Sequence, residues 1–275
     1  MKKISCSVLL ICQNAENSIK RCLSSLADFS EVVLVDGGSV DNTLMIARTY
    51  ENVVIYENPW PGFIEQRNFS VSKATEKWSF MIDSDEKMTV ELVNEIRNIT
   101  QSEKPAYPMY SVVRTEYFLG KPVEHGFGAS DWQERLFITN RVSYTGGVHH
   151  EHLIDGAHQN ECREKIGFIN ENARVLHDQN YGLIDWTRKL PRFAILRAKE
   201  KMEFNSSRRV SAFEVFFTFV GTFFKIYLKS YKNGKIGIVI SFTTAINRCL
   251  SKLIMYEKAE FGFEEKLAEK AKELD

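Results

Sequence analysis

Residues Trp78–Glu86 have the sequence WSFMIDSDE, a short apolar run that ends in three carboxylates within four residues. The apolar run predicts a buried β-strand. Ligands of α/β sheets bind outside the carboxyl ends of the strands, and carboxylates gathered there suit a hard cation such as Mg²⁺ or Mn²⁺. Such a cation would in turn hold a diphosphate. The same residues are also typical of a solvated turn or a helix N-cap.

The sequence before this stretch alternates between strand and helix patterns. Strands are predicted at Ser5–Ile11, Glu31–Val35, Val53–Tyr56 and Trp78–Ile82, and helices at Ser18–Leu26, Leu44–Tyr50, Gly62–Ala74 and Val90–Ile99. This alternation predicts an α/β fold with a parallel sheet and right-handed crossovers. Short strands at Tyr110–Arg114, Arg135–Ile138 and Asn172–Leu176 precede a helical pattern that starts at Asp185. We therefore predict a nucleotide-binding and acceptor region at residues 1–184 and a helical extension at residues 185–275.

Charge is unevenly distributed along the 275 residues, although 36 basic and 36 acidic residues give no net charge. Residues 186–235 hold 12 basic and 3 acidic residues, net +9, whereas residues 1–185 hold 18 basic and 26 acidic residues, net −8. The basic segment indicates contact with an anionic partner, or a solvated surface that neutralises the acidic half. We expect no nucleic-acid partner.

Five scattered cysteines without a CxxC pair predict reduced thiols. No signal-peptide cleavage pattern follows the basic N-terminus. No run approaches the roughly 18 uncharged apolar residues of a membrane-spanning helix. Together these features lead us to expect a cytoplasmic protein.

Asp36 ends the second predicted strand and precedes two glycines, so its carboxylate can bind a ribose or a base edge where the backbone approaches closely. Ser39, Asp41 and Thr43 are better suited to cap the next helix. The chain has neither a P-loop nor a dinucleotide fingerprint. Phosphates must therefore be held by a metal and by Arg67, whose planar fork suits them. Alternatively, Arg67 forms a salt bridge on the helix surface.

Four ordered groups of residues resemble those of one enzyme family. They are Gln13-Asn14-x-Glu16-Asn17-x-Ile19, EVVLVDGGSVDNT at 31–43, Gln66-Arg67-Asn68-Phe69, and WSFMIDSDE at 78–86. This set resembles the inverting family-2 glycosyltransferases of the GT-A fold, which is a Rossmann-like, mostly parallel sheet with helices on both faces. The downstream motifs resemble the lipopolysaccharide-core β-glycosyltransferases, and they are Phe118-Leu119-Gly120-Lys121, His125-Gly126-Phe127, DWQERLF at 131–137 and GVHHE at 147–151. The resemblance extends from about Ile4 to about Tyr256.

The resemblance implies transfer of a sugar, most commonly glucose, from a nucleotide-diphosphate donor to a saccharide or lipid-linked acceptor, as in lipopolysaccharide or other surface-polysaccharide synthesis. Asp36 would bind the nucleoside and Arg67 the diphosphate. Asp83 and Asp85 would form the D-x-D motif, with Asp85 nearest the Mg²⁺ or Mn²⁺ ion. The nucleobase pocket would be lined by Cys12, Gln13 and Asn14, where many relatives have Thr-Tyr.

Inversion at the anomeric carbon requires a carboxylate that takes the proton of the acceptor hydroxyl. The resemblance makes Asp131 this base, with Glu134 as the alternative. If Arg135 begins a strand, Glu134 points to the opposite face from Arg135. Without a catalytic role, Asp131 would serve as a helix N-cap.

Six histidines include a cluster formed by His149, His150, His152 and His158. Without a cysteine in the cluster or an H-E-x-x-H order, they do not predict a catalytic zinc site. We predict instead that His150 and Glu151 line or order the acceptor pocket, together with Arg135. His177 is either a further ligand of the metal or a structural histidine.

The helical extension carries an aromatic stripe with a basic margin. Its members are Phe213, Phe216, Phe217, Phe219, Val220, Phe223, Phe224, Tyr227 and Tyr231, and the lysines are Lys225, Lys229, Lys232 and Lys235. This pattern is typical of a helix that lies on an anionic membrane, and equally of one that packs in a helical hairpin. Peripheral attachment at the inner face of the cell membrane would suit a lipid-linked acceptor.

Two other classes of protein use a similar fold. A nucleotidyltransferase would carry a Gly-rich, basic loop after the first strand, whereas this chain has CQNAENS at 12–18. A non-catalytic sugar-nucleotide-binding protein would not need Asp83, Asp85 and Asp131. The sequence leaves open whether the protein forms a homodimer.

Overall fold

A computed structural model shows two compact units in the chain. The residues that it describes are 2–126, 129, 131–147, 150–155, 166–177, 183–204 and 210–261. The first unit comprises Met1–Tyr117 and Ser130–Gln179, and the second comprises Phe118–Ala129 and Asn180–Asp275. The domain boundary that we placed after residue 184 stays a prediction.

The first unit is an α/β structure. Its strands are β1 (Ile4–Cys12), β2 (Phe29–Asp36), β3 (Val53–Glu57), β4 (Trp78–Asp83), β5 (Glu86–Met88) and β6 (Met109–Phe118). After the two-residue strand β7 (Lys121–Pro122), they continue as β8 (Asp131–Ile138), β9 (Val142–Gly147), β10 (His150–Asp155), β11 (Ile166–Phe168) and β12 (Arg174–His177). Its helices are α1 (Ile19–Ser24), α2 (Thr43–Ala47), α3 (Phe63–Lys73) and α4 (Val90–Gln101).

The main sheet has the strand order β3-β2-β1-β4-β8-β6-β12-β5. Strands β3, β2, β1 and β4 are parallel to one another, as predicted from the alternation of strands and helices. Strand β8 is antiparallel to both of its neighbours, whereas β12 is parallel to β6. Strands β9 and β10 form a separate antiparallel pair. The prediction of a mostly parallel α/β sheet is confirmed.

The core lies on both faces of the sheet because successive side chains of each strand point in opposite directions. In β1, Val8 and Leu10 belong to the cluster that also contains residues of α1, α2 and α4. Leu9 and Ile11 belong to the other cluster, in which Ile64 and Phe69 of α3 pack. A strand that is buried on both faces needs a continuous apolar run, which is what β1 has.

The register of the parallel strands brings three predicted site residues to one edge. Cys12 pairs with Asp36, and Ile11 pairs with Asp83. Since these residues end β1, β2 and β4, the polar side chains that follow the strands gather at the carboxyl edge. This edge is where ligands of such sheets bind.

The second unit is mainly helical, as predicted for the extension. Its helices are α5 (Leu183–Phe204), which contains Pro191, α6 (Ala212–Ser230) and α7 (Lys235–Phe261). The segment Phe118–Ala129 also belongs to this unit, which the sequence did not indicate. Asn233 holds it: the Asn233 Oδ1 atom accepts the N–H groups of Glu124 (3.1 Å) and His125 (3.0 Å), and its Nδ2 donates to the His125 carbonyl (2.6 Å).

Within the described residues, one helix meets the length and composition needed to cross a bilayer. It covers Lys235–Glu257 with a mean hydropathy of 1.3, and 39% of its most apolar window is buried inside the protein. Core helices of soluble proteins pass the same test. We did not predict a membrane-spanning run here, because the charged residues Lys235, Arg248 and Lys252 lie within this span.

Candidate active site

The loops that follow β1 and β2 are joined by hydrogen bonds. The backbone N–H groups of Asn14, Ala15 and Glu16 donate to Ser39 Oγ (2.9 Å), Thr43 Oγ1 (2.7 Å) and Asp41 Oδ2 (3.0 Å), respectively. The N-cap of α2 is Asn42, whose side chain makes no capping hydrogen bond. The predicted capping by Ser39 and Thr43 is therefore wrong, because their hydroxyl groups hold the β1 loop instead. Asp41 Oδ1 does accept the N–H group of Thr43, at the first residue of the helix (3.0 Å).

Asp36 is buried and its carboxylate is engaged by its own loop. Oδ2 accepts the N–H groups of Gly38 (2.9 Å) and Ser39 (2.8 Å), and Oδ1 accepts the Ser39 hydroxyl. The Cys12 Sγ atom lies 3.8 Å from Oδ1, and burial followed by the charge of Asp36 raises the pKa of this thiol. Because a carboxylate has about four lone-pair sites, a nucleoside hydroxyl could bind Asp36 only by displacing one of these donors. The Ser39 hydroxyl can rotate away.

Trp60 is a residue of this edge that the sequence analysis missed. A Cβ atom on Gly37 would lie 2.6 Å from the Trp60 ring, so glycine is required where the indole covers the loop. Gln13 Nε2 donates to the carbonyl of the same Gly37 (3.1 Å), and the Trp60 ring packs edge-on against Phe63 with centroids 4.9 Å apart. The available signal was a tryptophan in the loop directly after a parallel strand. Trp60 thus places an aromatic ring beside the residues that we predicted to line the nucleobase pocket.

Asp83, the last residue of β4, lies between two arginines. Its Oδ1 accepts from Arg67 Nη2 at 3.1 Å, and its Oδ2 lies 3.7 Å from Arg135 Nη2. Burial would raise the pKa of Asp83, but the charges of Arg67 and Arg135 outweigh it and lower the pKa to about 2. Arg67 also packs over the Tyr144 ring, 5.5 Å from the centroid. Asp83 is thus a charged carboxylate, and Arg67 points to the edge as predicted.

Glu86 is the fully buried member of the acidic stretch. Its Oε2 accepts the Asp83 N–H group (2.9 Å), and its Oε1 accepts from Arg135 Nη2 (2.9 Å). Burial raises the pKa of Glu86, and the charge of Arg135 acts against that shift. Burial alone would lower the pKa of Arg135, but Glu86 and Asp83 raise it. Glu86 is the first residue of β5 and supports the turn. The alternative in which it belongs to a helix N-cap is wrong, because α4 begins only at Val90.

Asp85 is paired with His177. Asp85 Oδ2 lies 3.1 Å from His177 Nε2, and Glu116 Oε2 lies 2.6 Å from His177 Nδ1. Burial would lower the pKa of His177, but hydrogen bonds to Asp85 and Glu116 raise it to about 10. The ring is therefore an imidazolium between two carboxylates in the metal-free protein. His177 reaches Asp85 directly, at the place where we predicted a shared metal.

The donor set can be tested against a divalent cation. Within the described ranges, no group of three or more His, Cys, Asp or Glu side chains is placed to hold a metal ion. Asp85 offers carboxylate oxygens, and His177 offers Nε2 only after that atom loses its proton, whereas the Asp83 oxygens lie against Arg67 and Arg135. Mg²⁺ is usually bound by one or two carboxylates together with substrate phosphates. The residues thus fit a cation that arrives with a diphosphate, with Asp85 as the main ligand and Asp83 in support.

Asp131 opens β8 and does not cap a helix, so that alternative is wrong. Its carboxylate is half-exposed, accepts from Gln133 Nε2 (2.6 Å) and lies 3.3 Å from Arg114 Nη2. Arg114 also contacts Glu116 at 2.8 Å. Asp131 is therefore connected to the His177 pair through one arginine and one glutamate, and it keeps an exposed face that an acceptor hydroxyl could approach.

The pairing of β8 with β6 shifts by one residue at Arg135. Tyr110 pairs with Leu136 and the next residue of β6, Ser111, pairs with Glu134, which leaves Arg135 without a partner residue in the ladder. Such bulges re-aim side chains next to active sites. Arg135 Nε donates to Gln133 Oε1 (3.0 Å) and Arg135 Nη1 to the Met81 carbonyl (3.2 Å). Glu134 is exposed, whereas Arg135 is buried.

His150 and Glu151 are the residues that we predicted to line or order the acceptor pocket. His150 and Glu151 lie in β10, where their backbones pair with Gly147 and Gly146. Their role at the acceptor stays a prediction, and His149, His158 and Cys162 lie outside the described residues. The described cysteines Cys6, Cys12, Cys22 and Cys249 are free thiols.

Three further residues lie in the cluster of charged side chains formed around Asp83, Asp85 and Asp131, although they were not predicted from the sequence. They are Arg114, Glu116 and Gln133. Arg114 and Glu116 alternate along β6, which places both on one face of a strand. Two charges of opposite sign at that spacing in a mostly apolar strand were the available signal. Nothing in the sequence indicated which partners they would meet.

The chain is similar in sequence to several known proteins. The family model described as Glycosyl transferase family 2 matches residues 7–154. The "Lipopolysaccharide core biosynthesis glycosyltransferase LpsC" of Rhizobium meliloti is 25% identical over 263 residues, which cover 93% of each protein. An uncharacterized glycosyltransferase of Rickettsia typhi is 39% identical over 150 residues, 54% of this chain and 50% of that protein.

Among solved structures, S. aureus TarS 1-349 in complex with UDP-GlcNAc aligns with 96% of this chain and 93% of its own, at 15% identity and a TM-score of 0.49. The family match is the decisive comparison because it includes 148 of the 275 residues, from the first strand to beyond Asp131. The chain belongs to glycosyl transferase family 2.

Proposed function

We propose that this glycosyltransferase moves a sugar from a nucleotide-diphosphate donor to a saccharide or lipid-linked acceptor, with inversion and with a divalent cation. The observation that carries the proposal is the set of groups at one sheet edge. Asp83 with Arg67, and Asp85 with His177, lie at the end of β4, and Asp131 is joined to them through Arg114.

The donor would lie across the carboxyl ends of β1, β2 and β4. In this arrangement Cys12, Gln13 and Asn14 flank the nucleobase, and Asp36 binds the ribose after the Ser39 hydroxyl turns away. Arg67 would move one N–H donor from Asp83 to the diphosphate, since a guanidinium carries five donors. Because Asp83 holds Arg67 in place beforehand, little ordering of this side chain is needed when the donor binds.

The chemical step needs one base. Asp131 takes the proton of the acceptor hydroxyl, the hydroxyl oxygen bonds to the anomeric carbon, and the bond from that carbon to the diphosphate oxygen breaks with its electron pair. A single displacement of this kind inverts the configuration. Arg114 and Gln133 hold the Asp131 carboxylate in position, and Arg67 stabilises the negative charge that leaves with the nucleoside diphosphate.

A bound Mg²⁺ or Mn²⁺ would neutralise charge on the departing diphosphate. Asp85 would hold it, with His177 as a second ligand after loss of its Nε2 proton and Asp83 next to both. Glu116 keeps its hydrogen bond to His177 Nδ1, which fixes the orientation of the ring. The residues thus supply a ligand pair that is already oriented.

The acceptor class and the location are part of the same proposal. The relative from R. meliloti, which matches over 93% of both proteins, is named for lipopolysaccharide core biosynthesis. We therefore propose a surface-polysaccharide acceptor, with His150 and Glu151 on the acceptor side. Free thiols at all four described cysteines fit a reducing compartment, which supports our proposal of a reaction in the cytoplasm. The family match favours this activity over nucleotidyl transfer.

The first test is a screen of nucleoside diphosphates by thermal shift, with and without Mn²⁺. Stabilisation grows as RT ln(1 + [L]/Kd), so the correct base should raise the unfolding temperature most, and only when metal is present. Release of the nucleoside diphosphate from the matching sugar nucleotide is then measured. We expect Asp85→Asn to lower turnover at least about 10²-fold because stabilisation of the leaving diphosphate is lost.

Glu91→Gln, an exposed carboxylate at the start of α4, is the matched control and should leave turnover unchanged. Turnover that persists both in chelator and in Asp85→Asn would refute the metal-dependent mechanism. Equal nucleotide affinity with and without metal, combined with no turnover, would favour a binding protein that lacks catalysis.

A further inference from the structure

Helix α6 has apolar residues on two opposite faces, and only one of them is covered by the rest of the second unit. Val215, Thr222 and Ile226 are buried. Five large apolar residues of the helix are between 57% and 78% exposed, and they are Phe213, Phe216, Phe217, Phe224 and Leu228. Tyr231, just past the helix, is also exposed. A soluble globular helix normally leaves its polar face outside, so this outer face requires an explanation.

The exposed residues form one stripe. At about 100° per residue, the five side chains fall within a sector of roughly 120° on the side opposite Val215 and Ile226. The stripe from Phe213 to Leu228 is about 22 Å long, at about 1.5 Å per residue. Phe242 of α7 widens it, since it is half-exposed and its ring packs edge-on against Phe219 with centroids 5.7 Å apart. Contiguous apolar surfaces of this kind mark interaction sites.

The charges beside the stripe select the partner. Lys225, Lys229 and Lys232 are exposed. At about 100° per residue, Lys225 and Lys229 fall on the same side of the stripe, beyond Leu228, and Lys232 follows in the turn after the helix. Glu214 is the single acidic residue in the sequence of α6, and it is neutralised by an ion pair with Lys252 of α7. An apolar stripe with a purely basic margin is complementary to a surface that is apolar below and anionic above, which describes the interface of an anionic bilayer.

Helix α7 has the opposite character, although its hydropathy is the one that permits a membrane span. Its polar residues Ser241, Thr243 and Ser251 are buried within the second unit. Asn247 Nδ2 donates to the Leu190 carbonyl of α5 at 3.0 Å. In lipid, Asn247 would lose this partner on α5, and an unsatisfied polar group is costly there. The packing therefore keeps α7 inside the helical unit and leaves α6 at the surface.

We propose that the outer face of α6, extended by Phe242, docks the protein on an anionic membrane as a peripheral helix lying in the interface. The aromatic rings enter the boundary between headgroups and acyl chains, and the three lysines contact anionic headgroups. The proposal rests on the second unit alone, so it stands or falls separately from the reaction assigned to the sheet edge.

The test is flotation of the full-length protein with lipid vesicles that contain no saccharide acceptor. We expect binding to vesicles of phosphatidylcholine with phosphatidylglycerol at low salt, release at high salt, and little binding to phosphatidylcholine alone. The triple variant Lys225→Gln/Lys229→Gln/Lys232→Gln should weaken partitioning about a hundredfold, or about fivefold for each lysine. Phe217→Ser/Phe224→Ser should weaken it on both kinds of vesicle.

Met45→Ser/Val90→Ser is the matched control, because it removes two equally exposed apolar side chains from the first unit. It should bind vesicles like the unaltered protein. Absence of binding to anionic vesicles at low salt would overturn the proposal. So would binding that resists high salt and alkaline carbonate and yields only to detergent, which would mean that α7 spans the bilayer. A dimer that dissociates in Phe217→Ser/Phe224→Ser, without any vesicle binding, would assign the stripe to a second copy of the chain.

Discussion

The loops after β1 and β2 and the acidic cluster after β4 lie at the same edge of the sheet but are held by different interactions. In the loops, Asp36 accepts mainly from backbone N–H groups two and three residues away. In the cluster, Asp85 and its partner His177 are 92 residues apart in sequence, and charged groups from five strands take part. The first region is thus held by hydrogen bonds of backbone N–H groups within one loop and between two neighbouring loops. The second is an assembly of charges that exists only when the sheet is complete.

The largest expected effect separates catalysis from structure inside the cluster. Asp131→Asn should lower turnover about 10²- to 10⁴-fold because the base for the acceptor hydroxyl is lost. Its stability should change little, since Asp131 is half-exposed. The measurement is the initial rate of sugar transfer at saturating donor, with the unfolding midpoint in urea recorded in parallel.

Glu134→Gln provides the comparison, since Glu134 is the neighbouring carboxylate on the other side of β8. It should keep full turnover. If Glu134→Gln were inactive and Asp131→Asn active, the roles of the two residues would be exchanged and the orientation proposed for β8 would fail.

The next effect concerns stability. Arg135→Met leaves Glu86 and Asp83 without their buried counter-charge, and breaking such a pair costs about 3–5 kcal/mol. Arg97→Met, which removes a more exposed pair with Asp28, should cost at most about 1 kcal/mol. The free energy of unfolding from urea titrations measures both. If both variants lost the same free energy of unfolding, the burial of the Arg135 ion pairs would not increase their contribution to stability.

The smallest effect belongs to the loops. Asp41→Asn weakens the bonds to the Glu16 N–H group and to Thr43, and we expect a loss of about 1 kcal/mol. Burial would raise the pKa of Asp41, but the hydrogen bonds from Thr43 and Glu16 lower it below 3.8. The folded pKa is thus below the unfolded one, so the contribution is complete above pH 3.8 and is lost as the pH falls below that value.

The unfolding temperature as a function of pH tests this sign. The unaltered protein should lose more stability than Asp41→Asn on acidification below pH 3.8, so that the two curves converge. Curves that stay parallel would mean that the Asp41 carboxylate contributes nothing through its charge.

Much of the fold was predictable because its signals are local. The apolar runs of β1, β2, β3 and β4 are continuous, and each predicted strand lies within one or two residues of the observed one. Strands β1, β2 and β4 are mostly buried, and a continuous apolar run predicts such a strand, whereas β3 is partly exposed. Asp36, Asp83 and Asp85 could be placed at the edge for the same reason, since each follows or ends such a run.

The rest depends on pairings that no local pattern encodes. Arg114 and Glu116 meet Asp131 and His177 only because β6 lies between β8 and β12. The one-residue shift at Arg135 also decides which side chains of β8 face the cluster, and it has no composition signal. The covered and uncovered faces of α6 are both apolar, so periodicity could not tell them apart.

The segment Phe118–Ala129 belongs to the second unit, although in sequence it lies between two stretches of the first. Val123, on the segment that Asn233 holds, is buried with Ile226 and Ile240 of the helical hairpin. Cutting the protein after residue 184 would remove that hairpin and bare Val123 on the part that is kept. The units are therefore topologically interleaved, and neither can be excised, transplanted or permuted as one continuous piece of sequence.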